Sequence, residues 1–214
     1  MLVGERMSHP VITIPPDLPV VDAISLMKRE KIRRTPVVRD GKLVGIVSDK
    51  DLLNASPSTA TSLSVWEMNY LLTKITVRDV MTRQVLTVTE DTAIEQAARI
   101  MVDNKIGGLP VMRGDAVVGI ITETDLFKIL LEMTGARQNG VRVTAFVHEQ
   151  RGQLARLTQA IFEAGGNFVA FVQFSDEDAS SRLITFKVAG MPVDLVKQVI
   201  EPLVENLVDV RECC

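Results

Sequence analysis

The chain has 214 residues, of which 46% are hydrophobic but only 4% aromatic, and it carries a net charge of −3. That length admits one large domain or two to three small ones, each with its own core built from Val, Ile, Leu, Ala and Met. The acidic balance and the scarcity of stacking rings argue against a polymeric nucleic-acid partner, and no apolar run is long enough to cross a bilayer, which argues against a membrane partner.

Met1-Leu2-Val3-Gly4-Glu5-Arg6 lacks the charged and apolar regions of a secretion signal, so a cytoplasmic location is expected. The first predicted element is a helix in which Val20, Ala23, Ile24 and Met27 fall at helical spacing, with Asp17 upstream where a cap belongs. Two short strands follow, Thr35 to Arg39 and Lys42 to Val47, split by an Asp40-Gly41 turn of hairpin type. The second strand then hands over to a helix at Gly45-Ile46-Val47-Ser48-Asp49-Lys50-Asp51.

This handover is where the pattern points to chemistry. A helix begins with backbone N–H groups that have no partner inside the helix and carry the positive end of its dipole, so an anion is welcome there. Ser48 adds a hydroxyl donor, and Asp51 offers two acceptor oxygens at the spacing of two neighbouring ribose hydroxyls. Ser-x-x-Asp is also the spacing of a capping box, in which both side chains satisfy the helix's own first donors. On that reading the carboxylate turns back onto the backbone and cannot also reach outward.

Residues 54–73 begin with loop composition and continue into a helical pattern, Val65 to Leu72, that holds the chain's only Trp and only Tyr, Trp66 and Tyr70. The elements then repeat. A shift of 74 positions superimposes Met7 on Met81, Asp17 on Asp91, Ala23 on Ala97, Met27 on Met101, Pro36 on Pro110, Gly45 on Gly119 and Asp51 on Asp125. Roughly a third of about 47 positions match without a gap, the signature of an internal repeat. The second copy predicts a helix with Ile94, Ala97, Ala98 and Met101 inward, strands from Leu109 to Arg113 and Ala116 to Ile121, and a second handover with Thr122 and Asp125. One pair of positions differs sharply: Arg33-Arg34 in the first copy stands where the second has Gly107-Gly108. Two guanidiniums there could fork onto phosphate oxygens or form an ordinary solvated basic face with Lys28, Arg29 and Lys31, whereas glycines allow close backbone approach.

Taken together, Val-Met-Thr at 80 to 82, Arg-Met-Ser at 6 to 8, Thr-Pro-Val-Val at 35 to 38, Leu-Pro-Val-Met at 109 to 112 and the two Gly-x-x-Ser/Thr-x-x-Asp stretches resemble a tandem pair of cystathionine-beta-synthase (CBS) domains, a Bateman module. The resemblance implies two repeats packed by pseudo-twofold symmetry, with adenosine-containing ligands such as AMP, ADP, ATP or a related adenosyl compound in the clefts between them. It implies further that Asp51 and Asp125 bind ribose and that Ser48 and Thr122 lie near phosphate. Adenine would lie among Thr13, Ile14 and Val37, with Thr87, Val88 and Val111 as the equivalents, and Arg33, Arg34, Pro36, Gly108 and Pro110 would complete the set.

After a linker, residues 135–140, the grammar changes. Val141, Val143, Ala145 and Val147 alternate as in a strand, Leu154, Leu157, Ile161 and Phe162 follow helically, and Phe168, Ala170, Val172 and Phe174 alternate again. A polar tip from Ser175 to Ser181 joins a strand at Leu183 to Val188, Pro192 opens a helix, and a last strand spans Leu207 to Val210. The order is βαββαβ, a ferredoxin-like sandwich. It resembles an ACT domain through Arg151-Gly152-Gln153-Leu154 and Glu163-Ala164-Gly165-Gly166-Asn167-Phe168, with Glu149 and Arg151 departing from that family's loop pattern. The whole is an α/β chain, or α+β, divided into repeat 1 (1–60), an inter-repeat helix and linker (61–75), repeat 2 (76–134), a linker (135–140) and an ACT-like domain (141–214). That order is similar to the bacterial acetoin-utilisation B-type proteins. It implies a homodimer formed through CBS and ACT surfaces, a second small-molecule effector and a separate regulated target.

The chain has two histidines, His9 and His148, and two adjacent terminal cysteines, Cys213 and Cys214, with no nucleophile elbow and no metal-ligand spacing. The expected function is therefore a non-catalytic sensor without a required cofactor or metal. A ligand-free dimerisation module and an enzyme of unfamiliar type are the alternatives.

Overall fold

A computed structural model describes residues 1–55, 74–175 and 181–213. The helix expected over residues 65–72, most of the 175–181 tip and Cys214 lie outside the described residues. The chain divides into two compact units, Met1–Leu126 and Phe127–Cys214.

In the first unit each repeat contributes a helix, an antiparallel strand pair and a following helix. These are α1 (Val20–Glu30), β1 (Arg34–Arg39), β2 (Lys42–Ser48) and α2 (Asp49–Asn54). After the short α3 (Val77–Val80) and β3 (Val88–Thr89) come α4 (Ile94–Asp103), β4 (Gly108–Arg113), β5 (Ala116–Thr122) and α5 (Glu123–Met133). The 74-residue shift holds in the ladder itself: Thr35 faces Val47 as Leu109 faces Ile121, and both ladders slip at the same place, after Val37 and after Val111. It holds in the core as well, since α1 buries Val20, Ala23 and Met27 while α4 buries Ile94, Ala97 and Met101. Asp40 and Gly41 sit at φ 51° and 76°, the paired left-handed conformation that a two-residue hairpin turn requires.

The helix caps differ from expectation. Pro19 and Ala93 occupy the N-cap positions of α1 and α4 without a side-chain bond. Asp17, expected as a cap, pairs instead with Arg78 and Arg39, and Asp91 accepts a hydrogen bond from the Thr89 hydroxyl. Each aspartate is too far from its helix start to serve it, because an intervening turn ends on Pro19 or Ala93.

The leading residues of each repeat pack on the other. Val3 N–H donates to the Thr92 carbonyl (2.9 Å) and Gly4 N–H to that of Glu90 (2.9 Å), while Ser8 and Ile120 exchange backbone bonds of 2.9 and 3.2 Å. Reciprocally, Thr82 and Ile46 exchange bonds of 2.9 Å each, and Val20 N–H donates to the Ile75 carbonyl at 3.0 Å. Met7 lies on Gly119 and Met81 on Gly45, so close that a Cβ placed on Gly45 would stand 2.5 Å from the Met81 sulfur. Sequence repeats and packed halves thus share their interiors but not their first residues.

The second unit contains β6 (Gly140–His148), α6 (Gln153–Glu163), β7 (Asn167–Ser175), β8 (Ser181–Ala189), α7 (Val193–Ile200) and β9 (Asn206–Cys213). The four strands form one antiparallel sheet in the order β7-β8-β6-β9. The expected alternation of Phe168, Ala170, Val172 and Phe174 is broken by a bulge between Phe168 and Ala170. One extra residue moves the following side chains to the opposite face. Phe168 and Phe171 therefore meet Phe186 on the core side, with centroids 5.3 and 6.3 Å away, while Phe174 is left exposed. Phe162, expected on the packed face of α6, is 73% exposed. Residues 135–138 are tied to the sheet, because the buried ammonium of Lys187 donates to the carbonyls of Gly135 and Gln138 at 2.9 Å each. A buried cation is tolerable when its donors are met in this way.

Gly45→Ala and Gly119→Ala each insert a methyl group against a crossing methionine. Overpacking of that kind costs about 1–3 kcal/mol. Each variant is expected to show a lower urea midpoint for the first unit than the parent chain.

Candidate functional site

The site expected at the strand-to-helix handovers is built first by the backbone. β2 ends at Ser48 in extended conformation (φ −108°, ψ 164°), which makes it the N-cap of α2. Its hydroxyl accepts from Asp51 N–H (3.3 Å) and donates to Asp51 Oδ2 (2.6 Å), and Oδ2 also accepts from Ser48 N–H (2.8 Å). The second copy repeats the arrangement, with Asp125 Oδ2 accepting from Thr122 N–H (3.1 Å) and Oγ1 (2.7 Å). Both carboxylates therefore fold back as capping boxes.

That geometry corrects the expectation that capping and outward reach exclude one another. The bonds that each carboxylate accepts in its box fall on a single oxygen, Oδ2, and among the described residues Asp51 Oδ1 takes no further partner. A third box shows that capping alone carries no ligand meaning: Thr76 donates to Asp79 Oδ2 through N–H and hydroxyl, both at 2.8 Å, at the start of four-residue α3. Those two bonds hold the Asp79 carboxyl below the usual carboxylate range.

What sets Asp51 apart is the space beside it. A cavity of about 400 Å³ is lined by Ser48, Asp51, Arg34, Ile46 and Val47 of the first repeat and by Thr82, Gln84, Val85, Leu86 and Asn104 to Gly108 of the second. It joins apolar walls (Ile46, Val85, Ile106) to two cations, Arg34 and Lys105, and one carboxylate. A larger hollow of about 500 Å³ in the second unit, between Lys128 and Gln138, gathers no comparable set.

Of the residues named from sequence, the cavity brings together Ser48, Asp51, Arg34 and Gly108. The expected adenine set is placed otherwise. Ile14 (2% exposed) and Val37 (0%) pair across a parallel bridge in the core of the first repeat, and Val88 and Val111 do the same in the second. Pro36 and Pro110 are buried beside them, while Thr13 and Thr87 are exposed and outside the cavity lining. Inward-pointing strand positions serve the core, so the apolar wall comes from Ile46, Val85 and Ile106 instead. Lys105, Asn104 and Gln84 were not expected; Gln84 reaches the cleft because residues 75–82 cross to the first repeat and carry the following turn with them, while Asn104 and Lys105 come from the end of α4. The crossing leaves no mark in residue type, although the 74-residue repeat itself would have related both sides of the cleft.

Arg33 and Arg34 reach over to the start of α5. Arg33 Nη2 donates to Thr124 Oγ1 (2.9 Å), and Arg34 Nη2 lies 3.7 Å from Glu123 Oε2, with its guanidinium over Gly107. Asp125, in the second copy, is only 5% exposed. Among the described residues there is no cluster of His, Cys, Asp and Glu that could hold a metal, and no helix is long and apolar enough to cross a membrane.

Residues 3–58 and 77–132, together just over half of the chain, match the family model of the CBS domain. Among solved structures, CBSX2 in complex with AMP is 33% identical, with a TM-score of 0.52 over 62% of this chain and 97% of that one. The CBS domain pair of protein MJ0100, in complex with 5′-methylthioadenosine and S-adenosyl-L-methionine, is 30% identical, with a TM-score of 0.51 over 61% of this chain and 95% of that one. An acetoin utilization protein from Vibrio cholerae is 31% identical, with a TM-score of 0.53 over 64% of this chain and 96% of that one. Some curated relatives are much longer, and the chain spans 46% of one and 21% of another.

Ser48→Ala removes the acceptor for Asp51 N–H and the donor to its Oδ2. Loss of such a cap costs about 1 kcal/mol. Thermal denaturation of the ligand-free chain is expected to show that loss, and a similar one for Thr76→Ala at the box that lies away from the cavity.

Proposed function

The chain belongs to the CBS domain family, and from that premise we propose that it is a non-catalytic regulatory protein whose paired repeats hold an adenosine-containing nucleotide of AMP or ATP type. The observation that carries this reading is the cleft beside Asp51, where both repeats contribute apolar wall, two cations and one carboxylate around about 400 Å³. In the proposed pose the ribose hydroxyls donate to Asp51, the base rests against Ile46, Val85 and Ile106, and the phosphate meets Arg34 and Lys105. Charge-assisted bonds to a carboxylate and to a guanidinium are the stronger kind, which suits a polar ligand that must give up water. Relatives with AMP, 5′-methylthioadenosine or S-adenosyl-L-methionine bound support the adenosyl part of this assignment.

A ligand in the cleft touches both repeats. It favours the arrangement in which they are held together only to the extent that it binds that arrangement more tightly. For the second unit we propose an ACT-type module that contributes to a homodimer and offers a place for a second effector. The βαββαβ order, the strand order β7-β8-β6-β9 and the Arg151-Gly152-Gln153-Leu154 loop support it. A cytoplasmic location and a separate protein target belong to the same proposal. The capping boxes favour a second reading, a purely structural dimeriser that keeps both aspartates and binds nothing.

Calorimetric titration with AMP, ATP, NAD and S-adenosylmethionine separates these. The proposal expects at least one to bind and Asp51→Ala to weaken it about tenfold or more, the worth of a hydrogen bond to a charged group. Undiminished binding by that variant refutes the placement of the ribose. A flat titration with all four supports the structural reading, and turnover of any one makes the protein an enzyme.

A further inference from the structure

The two repeats should create two equivalent clefts, yet the side chains treat them differently. Under the 74-residue shift the cavity beside Asp51, with Thr82, Lys105, Gly107 and Gly108 on its other wall, maps to a second place beside Asp125, with Ser8, Lys31, Arg33 and Arg34 there. The backbone is symmetric at this point: Asp49 N–H donates to the Arg33 carbonyl at 3.0 Å and Glu123 N–H to the Gly107 carbonyl at 3.2 Å. The side chains are not. Arg33 crosses to the other repeat and donates to Thr124 Oγ1 at 2.9 Å, one residue from Asp125, where the equivalent Gly107 has no side chain to send across. Arg34 lies over Gly107, whose missing Cβ makes room for the guanidinium, and so forms part of the Asp51 cleft. The two carboxylates also differ in exposure: Asp51 is partly open while Asp125 is 5% exposed.

We infer that Arg33 closes the Asp125 cleft and leaves the Asp51 cleft as the only one that fills, so that each chain takes one adenosine ligand rather than two. This rests on the nucleotide reading above and adds to it the stoichiometry, the cleft used and the residue that decides both. The closing contact is a single hydrogen bond to a neutral acceptor, the Thr124 hydroxyl. Such a bond contributes little to stability, so removing it opens the cleft without dismantling the fold.

The test is equilibrium dialysis of the full chain over a range of AMP concentrations, with folding of each variant checked by circular dichroism. The parent is expected to bind one AMP per chain and Asp51→Ala to bind it about tenfold or more weakly. Arg33→Gly, which gives the first repeat the glycine of the second at that position and leaves Arg34 in place, is expected to bind two. Thr124→Ala releases the same guanidinium from the opposite side, leaves β1 unaltered and is expected to move in the same direction. Two AMP per folded parent chain, undiminished affinity in Asp51→Ala, or a stoichiometry that stays at one in both folded Arg33→Gly and folded Thr124→Ala overturns the inference while leaving nucleotide binding intact. Absence of AMP binding in the parent and every variant, with ATP, NAD and S-adenosylmethionine also silent, overturns the nucleotide reading and the inference with it.

Discussion

The first unit depends on a reciprocal crossing: the strand-like stretch before each repeat pairs with the second strand of the other, Ser8 with Ile120 and Thr82 with Ile46, and a methionine from each stretch lies on a glycine of the opposite repeat. The first repeat offers only the two-stranded sheet β1-β2, and an isolated hairpin of that size is marginal in water without a partner surface. The crossing supplies that surface twice. It also determines where the cleft is, because residues 84–86 follow directly from the crossing stretch and form one of its walls. Fold and candidate site therefore share one cause, the exchange of leading segments between halves of a duplicated chain.

Much of this was legible in the sequence wherever one residue type has one physical use. The 74-residue repeat, the Asp40-Gly41 turn, the buried faces of α1 and α4 and the Ser48–Asp51 spacing all follow from local rules, and the ladder registers superimpose as the repeat requires. Features that depend on three-dimensional context were not legible. The bulge after Phe168 cannot be read from alternation, because alternation is what it interrupts. Ile14, Val37, Val88 and Val111 look alike whether a β-branched or aliphatic side chain faces a base or a core, and here they face the core. The contribution of Val85 to the cleft follows from the crossing, for which Met7, Gly45, Met81 and Gly119 are the trace, and methionine and glycine have many other uses.

Asp51 shows why a structural role and a binding role fit one side chain. α2 has six residues, too short to hold itself by its own hydrogen bonds. Burial of Leu52 and the Ser48–Asp51 box fix its start, and the box uses Oδ2 alone. The same bonds that stabilise the helix fix the torsions of the carboxylate, so its second oxygen is held in place before any ligand arrives. Immobilising a side chain at the moment of binding costs about 0.5–1.5 kcal/mol, and here folding has already met that cost. Asp79 makes the comparison: an equivalent box stands at Thr76 outside the lining of this cleft, so the box by itself serves the helix start.

Duplication also explains how the two halves came to differ without loss of the fold. Positions 33 and 34 and their counterparts 107 and 108 lie where β1 and β4 begin, and their backbone bonds to the following helices are alike in both copies. Side chains at these positions are therefore free to change while the ladder holds. Arginine at one pair and glycine at the other are complementary across the pseudo-twofold axis, since the guanidinium of Arg34 occupies the space that a Cβ on Gly107 would take. Arginine at both would place four guanidiniums where one already fills the gap, and glycine at both would leave Thr124 and Glu123 without their cross-repeat contacts. A symmetric scaffold with a symmetric pair of aspartates is thereby made asymmetric by two residues, and the asymmetry falls beside the helix starts that carry those aspartates.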